Sequence, residues 1–333
     1  MQFTVMPAGA WGTAMAIHLN RIGQTVSLVF RETDEAAEAA TIRENKHFLP
    51  GIPIDQNIQI SCEAAPTLLE ADVLILVCPS KFLRPQCREI KPMLASASRL
   101  KLIVSLVKGL EDGTNLCATD IIKQELPGVP VAALSGPTFA SQVARGQPGA
   151  AVLASDDDTP FLREVQKAMS GESLRIYTSS DLIGVELTGS LKNVYAIAAG
   201  ICDGLGLQDN SKAALLTRSL AEMVRVGTNL GGRVETFYGL TGFGDLILTC
   251  NGKESRNRTF GELFAQGVSV EELLTKRQMT VEGYRTCACF YKICQDRKLS
   301  APILQEIHAM LYCGKDPQQA LRSLMGRELK AEY

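Results

Sequence analysis

Lys108, Lys192, Asp245 and Arg256 occupy settings in this chain that could support chemistry. Lys108, with Gly109, directly follows the strand-like run "LKLIVSLV". A lysine at the carboxyl end of a sheet strand points into the crevice where open α/β sheets bind ligands, so its ammonium could hold a substrate oxygen. Lys192 lies in "GVELTGSLKNVYAIAAG". Helical spacing puts Gly189 and Ala196 beside it and Gly200 on roughly the same side two turns on, which leaves space around the ammonium. Burial there would draw its pKa down toward the range useful for proton transfer. The plain alternative for either lysine is a side chain reaching solvent, but the company of Asn193 favours a function for Lys192. In "LTGFGDLILTCNGKESRNRTFG", Asp245 stands between glycines and an apolar run, a setting for a fixed carboxylate near a lysine. Ser255-Arg256-Asn257-Arg258 then offers a fork of directed donors, expected on an irregular segment, that suits a phosphate better than a compact ammonium would. In "LSGPTFASQVARG" a strand runs into a Gly-Pro loop whose amides face the crevice, making Gly136 and Thr138 further substrate contacts.

The stretch "FTVMPAGAWGTAMAIHLNRIG" has the strand, turn and helix order of a dinucleotide-binding fingerprint. Pro7 stands where its first glycine belongs, with Gly9 and Gly12 following. The remaining amides of a helix N-terminus could still bind a pyrophosphate. A second strand, "TVSLVF", ends about 20 residues on, where the ribose-reading residue of such a fold belongs. That residue is Arg31 rather than an acid, and a guanidinium accommodates a 2′-phosphate. Glu32 and Asp34 lie close by. "TVEGYRT" places Glu282 and Gly283 ahead of a helix and says little alone.

The elements that must position these residues fall into two kinds. Eight short runs, "FTVM", "TVSLVF", "IQIS", "VLILVCP", "LKLIVSLV", "VPVAALSG", "GAAVLAS" and "LRIYTS", alternate with helical patterns up to about residue 180. Continuous apolar strands imply a parallel sheet covered on both faces, an α/β doubly wound Rossmann-like domain over residues 1–180. From Asp181 the runs lengthen to helical size, as in "KAALLTRSLAEMVRVGTNL" and "SVEELLTKR", where Ser269 and Glu272 read as a capping box. An all-α substrate and catalytic domain is expected over 181–333, closing the crevice from one side. At 333 residues the chain exceeds the size of a single core, in keeping with two domains. A net charge of -2 gives no long-range pull toward nucleic acid or anionic membrane. The ten cysteines form no Cys-x-x-Cys pair and there are only three histidines, so no metal site is expected and the cysteines read as small buried hydrophobes. With no signal-like start and no long apolar run, a cytoplasmic protein is expected.

Taken together, these motifs resemble those of the bacterial-type NAD(P)-dependent glycerol-3-phosphate dehydrogenases. The resemblance runs almost end to end, from "AGAWGTAMA" through "ENKHFLPGI", "KGLE", "LSGPTFASQVARG", "GLTGFGDLILTC" and "SRNRTFG" to "VEGYRT". It implies reversible reduction of dihydroxyacetone phosphate to sn-glycerol 3-phosphate with NADP(H) or NAD(H), feeding phospholipid synthesis, in a homodimer. By the same resemblance Lys192 is the catalytic lysine, assisted by Lys108 and Asp245. Substrate contacts fall on Lys108, Gly136, Thr138, Asn193, Asp245, Ser255, Arg256 and Asn257. Cofactor contacts fall on Gly9, Ala10, Trp11, Gly12, Arg31, Lys108, Ala140, Arg256, Val281 and Glu282. Two departures from the family pattern are Pro7 in place of glycine and Thr138 in place of a more usual serine. Other readings are a two-domain NADP-dependent reductase of the ketopantoate or 3-hydroxyacid type, and a nucleotide-binding protein without turnover.

Overall fold

Alternate residues of the strand Val73–Leu76 point into two different cores: Val73 and Ile75 into one, Leu74 and Leu76 into the other. Its neighbours repeat the division, with Phe3, Val5, Leu102 and Val104 on the first side and Ile103 and Val131 on the second. A strand apolar at every position needs cover on both faces, and period-two alternation assigns each side chain its layer. The computed structural model describes all residues except Lys330 and Tyr333.

The sheet contains β1 (Gln2–Met6), β2 (Thr25–Val29), β3 (Gln59–Ser61), β4 (Val73–Leu76), β5 (Leu102–Ser105), β6 (Val131–Ser135), β7 (Gly149–Ala154) and β8 (Leu174–Ser179), one for each run expected from the sequence. Their order is β3-β2-β1-β4-β5-β6-β7-β8. The order reverses between β1 and β4, which puts the ligand crevice of such a sheet at the carboxyl end of β1. Between the strands run α1 (Ala10–Arg21), α2 (Thr33–Ile42), α3 (Ala64–Glu70), α4 (Ser80–Leu94), α5 (Ala118–Glu125), α6 (Ala140–Ala144) and α7 (Pro160–Met169). One helix layer includes Met15, Ile17 and Leu19 of α1; the other includes Leu83 and Ile90 of α4 and Ile121 of α5. All pairings are parallel except β6 with β7, which is antiparallel. The wholly parallel sheet implied by the sequence is corrected there: the connection over 136–148 holds only the five-residue α6, and the chain returns alongside β6 without a full crossover.

Helices follow to the end: α8 (Leu182–Gly204), α9 (Asp209–Asn229), α10 (Val234–Tyr238), α11 (Asp245–Asn251), α12 (Arg256–Ala265), α13 (Glu282–Asp296), α14 (Pro302–Cys313) and α15 (Pro317–Met325). Two compact units result. The sheet unit is Met1–Glu111 with Leu116–Glu186; the helical unit is Asp112–Asn115 with the chain from Leu187 onward. The division thus falls inside α8, whose first turns stay with the sheet unit through Leu182 and Val185 packed on Ala133 and Ala154. Two short stretches wind as π turns, Leu240–Gly244 and Glu272–Lys276. The second replaces the α-helix expected at "SVEELLTKR". The Ser269 hydroxyl accepts the Glu272 N–H as a cap should, but the Glu272 carboxylate turns outward to Arg277 at 2.9 Å, so the reciprocal half of the box is not made.

Candidate active site

The sheet unit carries one set of expected site residues. Gly9 caps α1 with no side-chain partner, and no acidic residue stands in the first turn. The first amides of α1, from Ala10, Trp11 and Gly12, therefore present the positive end of the helix at the carboxyl end of β1. A Cβ on Gly12 would lie 2.6 Å from the Pro7 carbonyl oxygen, whereas one on Gly9 would meet nothing within 4 Å. Gly12 is thus required by the close approach of helix and strand, and the backbone at Gly9 stays open to a ligand. Pro7 supplies no N–H, but its carbonyl accepts the Gly9 N–H at 2.8 Å, and Ala8 N–H bonds to Val29 at 2.8 Å. The turn is closed without the missing glycine. An anionic pyrophosphate fits these residues. Arg31 lies just beyond β2, exposed, with Glu32 3.5 Å away.

Further along the same sheet, the Lys108 ammonium donates to the Gly136 carbonyl at 3.1 Å, and the Thr138 hydroxyl donates to the same oxygen at 3.2 Å. Lys108, Gly136 and Thr138 are therefore one cluster. Gly136 has φ +155, and a Cβ on it would lie 2.8 Å from Ala151 Cα on β7, which explains the glycine. Ala140 begins α6 and packs partly buried against the core, as does Trp11.

In the helical unit the second set converges. α8 is apolar nearly all round, and Lys192 is its one basic residue. The Lys192 side chain is only 8% exposed and Asp245 only 1%, and the ammonium donates to Asp245 Oδ1 at 2.6 Å. Burial strips water from the ammonium, and the carboxylate replaces it. Thr249, one turn beyond Asp245 on α11, takes a second ammonium proton at 2.7 Å and lies 3.2 Å from the same Asp245 oxygen. Nothing in the sequence set Thr249 apart from the run "LILTC", although its i+4 spacing from Asp245 was the available signal. The π turn Leu240–Gly244 delivers Asp245 to the start of α11, and such turns often occur at functional sites. Cys250 beside them is buried, which pushes its thiol up to about 12 and leaves it an inert apolar filler. None of the ten cysteines is joined in a disulfide, and no metal-binding cluster occurs among the described residues.

The phosphate-suited segment is not irregular. Ser255 accepts the Arg258 N–H at 3.2 Å and caps α12, so Arg256 and Asn257 occupy its first turn. The Asn257 amide donates to Asn193 Oδ1 at 2.9 Å, while Gly283 N–H donates to Asn257 Oδ1 at 2.9 Å. That chain of bonds ties Asn193 on α8 to α12 and to the turn carrying Val281 and Glu282. Any side chain on Gly200 would strike the backbone of Arg258, and one on Gly261 the backbone of Ile197. Gly200 therefore serves the close packing of α8 on α12 rather than space around Lys192, and that packing brings the two asparagines together. Arg256 is exposed, yet crowding by protein lowers its pKa from the ordinary value while Glu282 opposes the shift.

The protein-family models for the NAD-dependent glycerol-3-phosphate dehydrogenase N-terminus and C-terminus match residues 2–160 and 181–322. The chain is 42% identical to glycerol-3-phosphate dehydrogenase [NAD(P)+] of Thermoanaerobacter sp. (strain X514) over 332 residues, 100% of this chain and 99% of the relative. A crystal structure of glycerol-3-phosphate dehydrogenase from Coxiella burnetii superimposes with TM-score 0.91 at 36% identity, covering 98% of this chain and 99% of the other. A ketopantoate reductase from Ralstonia eutropha, at TM-score 0.61 and 16% identity over 96% of this chain and 100% of the other, shares the fold alone. No helix among the described residues is long and apolar enough to cross a membrane.

Proposed function

The chain belongs to the NAD-dependent glycerol-3-phosphate dehydrogenase family, and on that premise we propose how its own residues reduce dihydroxyacetone phosphate to sn-glycerol 3-phosphate. The observation that carries the reading is the buried Lys192–Asp245 pair with Thr249 as second acceptor. When bound, the reduced nicotinamide supplies the hydride. Lys192 gives a proton from Nζ to the substrate carbonyl oxygen as the carbonyl carbon is reduced, and takes one back from the alcohol in the reverse direction. General acid assistance of this kind contributes about 10²- to 10⁴-fold in rate. Asp245 and Thr249 hold the ammonium in one orientation, and in water-poor surroundings such pre-set partners need no reorganisation during the reaction.

Arg256 and Asn257, in the first turn of α12, hold the substrate phosphate, with Ser255 fixing that turn and Asn193 braced by Asn257. A helix N-terminus with a guanidinium suits a phosphate dianion. Lys108 polarises the substrate oxygen, and its bond to Gly136 keeps Gly136 and Thr138 with it. Gly9, Ala10, Trp11 and Gly12 take the cofactor pyrophosphate and Arg31 its ribose end, while Ala140, Val281 and Glu282 complete the cofactor contacts. We assign the enzyme to the cytoplasm and its product to glycerophospholipid synthesis. We further propose a homodimer, supported by an apolar groove of about 760 Å³ on the helical unit whose lining, from α9, α14 and α15, includes the exposed Met325 and Leu329. A two-fold pairing would bring this same face of each copy together, and light scattering of the purified chain tests it.

The test of the reaction itself is absorbance loss of NADPH and NADH with dihydroxyacetone phosphate, run beside ketopantoate. Oxidation with the phosphoester alone supports the proposal. Oxidation with the carboxylate substrate alone overturns it, and cofactor binding with no oxidation in either case indicates a binding protein.

A further inference from the structure

We propose that Lys81 is the second cation of a 2′-phosphate site and decides the choice between NADP(H) and NAD(H) in this chain. The proposal rests on the cofactor reading above and goes beyond it in assigning the discrimination to a residue outside the glycine loop and outside the end of β2.

β2 and β4 flank β1 on its two sides. Arg31 follows β2, and Lys81 and Phe82 open α4 just after β4. The Arg31 guanidinium nevertheless lies over the Phe82 ring, 5.7 Å from its centroid, so the two residues reach toward each other across the carboxyl end of β1. The Lys81 ammonium lies 4.4 Å from the same centroid. Two cations on either path to one aromatic ring, beside the Gly9–Gly12 loop, make a cluster at the outer end of the pyrophosphate site. Phe82 is 39% exposed. An exposed ring held by cations offers a flat face for a purine, and the cations offer partners for whatever the adjoining ribose carries.

The charge balance singles out Lys81. Arg31 is 3.5 Å from Glu32, and Asp34 and Glu35 follow in the first turn of α2. Taken alone, the end of β2 is acidic on balance, a composition that favours a free 2′-hydroxyl as much as a 2′-phosphate. Lys81 forms no ion pair among the described residues, and α4 has no acidic residue in its first turn. The ammonium of Lys81 is therefore the charge that tips the cluster toward a phosphate dianion, with Arg31 as the planar donor and Phe82 as the platform between.

Equilibrium binding to the full-length protein, followed by fluorescence of the reduced nicotinamide, tests this without reference to turnover. Wild type, Lys81→Gln, Lys81→Glu and Arg31→Gln are titrated with NADPH and NADH, and 2′,5′-ADP and 5′-ADP are used as competitors. Loss of one charge-assisted contact at an exposed site predicts that Lys81→Gln weakens NADPH and 2′,5′-ADP about tenfold, with NADH and 5′-ADP changed less than about twofold. Lys81→Glu should go further and favour NADH. Rising salt should erode the wild-type preference for NADPH and leave the Lys81→Gln protein less affected. Equal losses for both cofactors, or none for either while Arg31→Gln still loses NADPH, would overturn the role of Lys81 and leave the cofactor site standing. A wild-type protein that binds neither cofactor would overturn both.

Discussion

Asp245→Asn removes the charge opposite Lys192 while keeping the size and one acceptor oxygen of the side chain. The pair is 2.6 Å apart with 8% and 1% of the two side chains exposed. Taking one partner from a buried pair typically costs about 3–5 kcal/mol, because the other charge remains without its counterpart. Lys192→Met should cost a similar amount, since it strands the carboxylate. The double variant removes both charges together, and its loss should be no greater than that of the worse single variant, whereas independent effects would add to roughly 6–10 kcal/mol. Far-UV circular dichroism during urea unfolding is the suitable probe. The single tryptophan, Trp11, belongs to the sheet unit, so its fluorescence follows the other part of the chain. All three variants should lose turnover by at least about 10²-fold. Additive stability losses would refute the reasoning, because they would mean that the two side chains do not depend on each other.

Glu186, wholly buried and held by the Thr119 N–H at 2.9 Å and hydroxyl at 2.5 Å, has its pKa raised to about 7, chiefly by burial. A carboxyl that holds its proton more tightly when folded stabilises most at low pH, so stability should decline as pH rises from about 4.5 through about 7, by up to about 3 kcal/mol, and Glu186→Gln should flatten that slope in urea titrations across pH. Arg256→Ala should raise the KM for dihydroxyacetone phosphate far more than that for NADPH, by the worth of a charged hydrogen bond, about 1.5–3 kcal/mol. Equal effects on both would argue against a phosphate contact. Gly12→Ala places a methyl 2.6 Å from a backbone oxygen that cannot yield cheaply, so cofactor affinity in a fluorescence titration should fall along with the melting temperature.

The strands were legible because burial on both faces forces continuous β-branched and apolar runs, as at Val73–Leu76. Lys192 and Asp245 were legible for the opposite reason: a charge inside an apolar stretch is costly enough to demand a partner. Thr249 was not, since a threonine in such a run is unremarked until its neighbour across the helix pair is known. The antiparallel β7 escaped because pairing direction depends on how the connection folds, and strand composition does not record it. The first turn of α12 was mistaken for irregular chain because Gly252, Lys253 and Glu254 mask its start, although Ser255 is a sound N-cap signal. Residues 112–115 join the helical unit through contacts that leave no periodic trace. Likewise the approach of Arg31 to Phe82 follows only from the strand order.

The proton-donor role of Lys192 is tested most directly by Lys192→Ala assayed with saturating NADPH and dihydroxyacetone phosphate, with cofactor binding measured on the same protein. The account predicts unchanged cofactor affinity, turnover abolished, and partial recovery on adding small primary ammonium ions that can enter the vacated space. Turnover that survives the substitution without any added amine would contradict it.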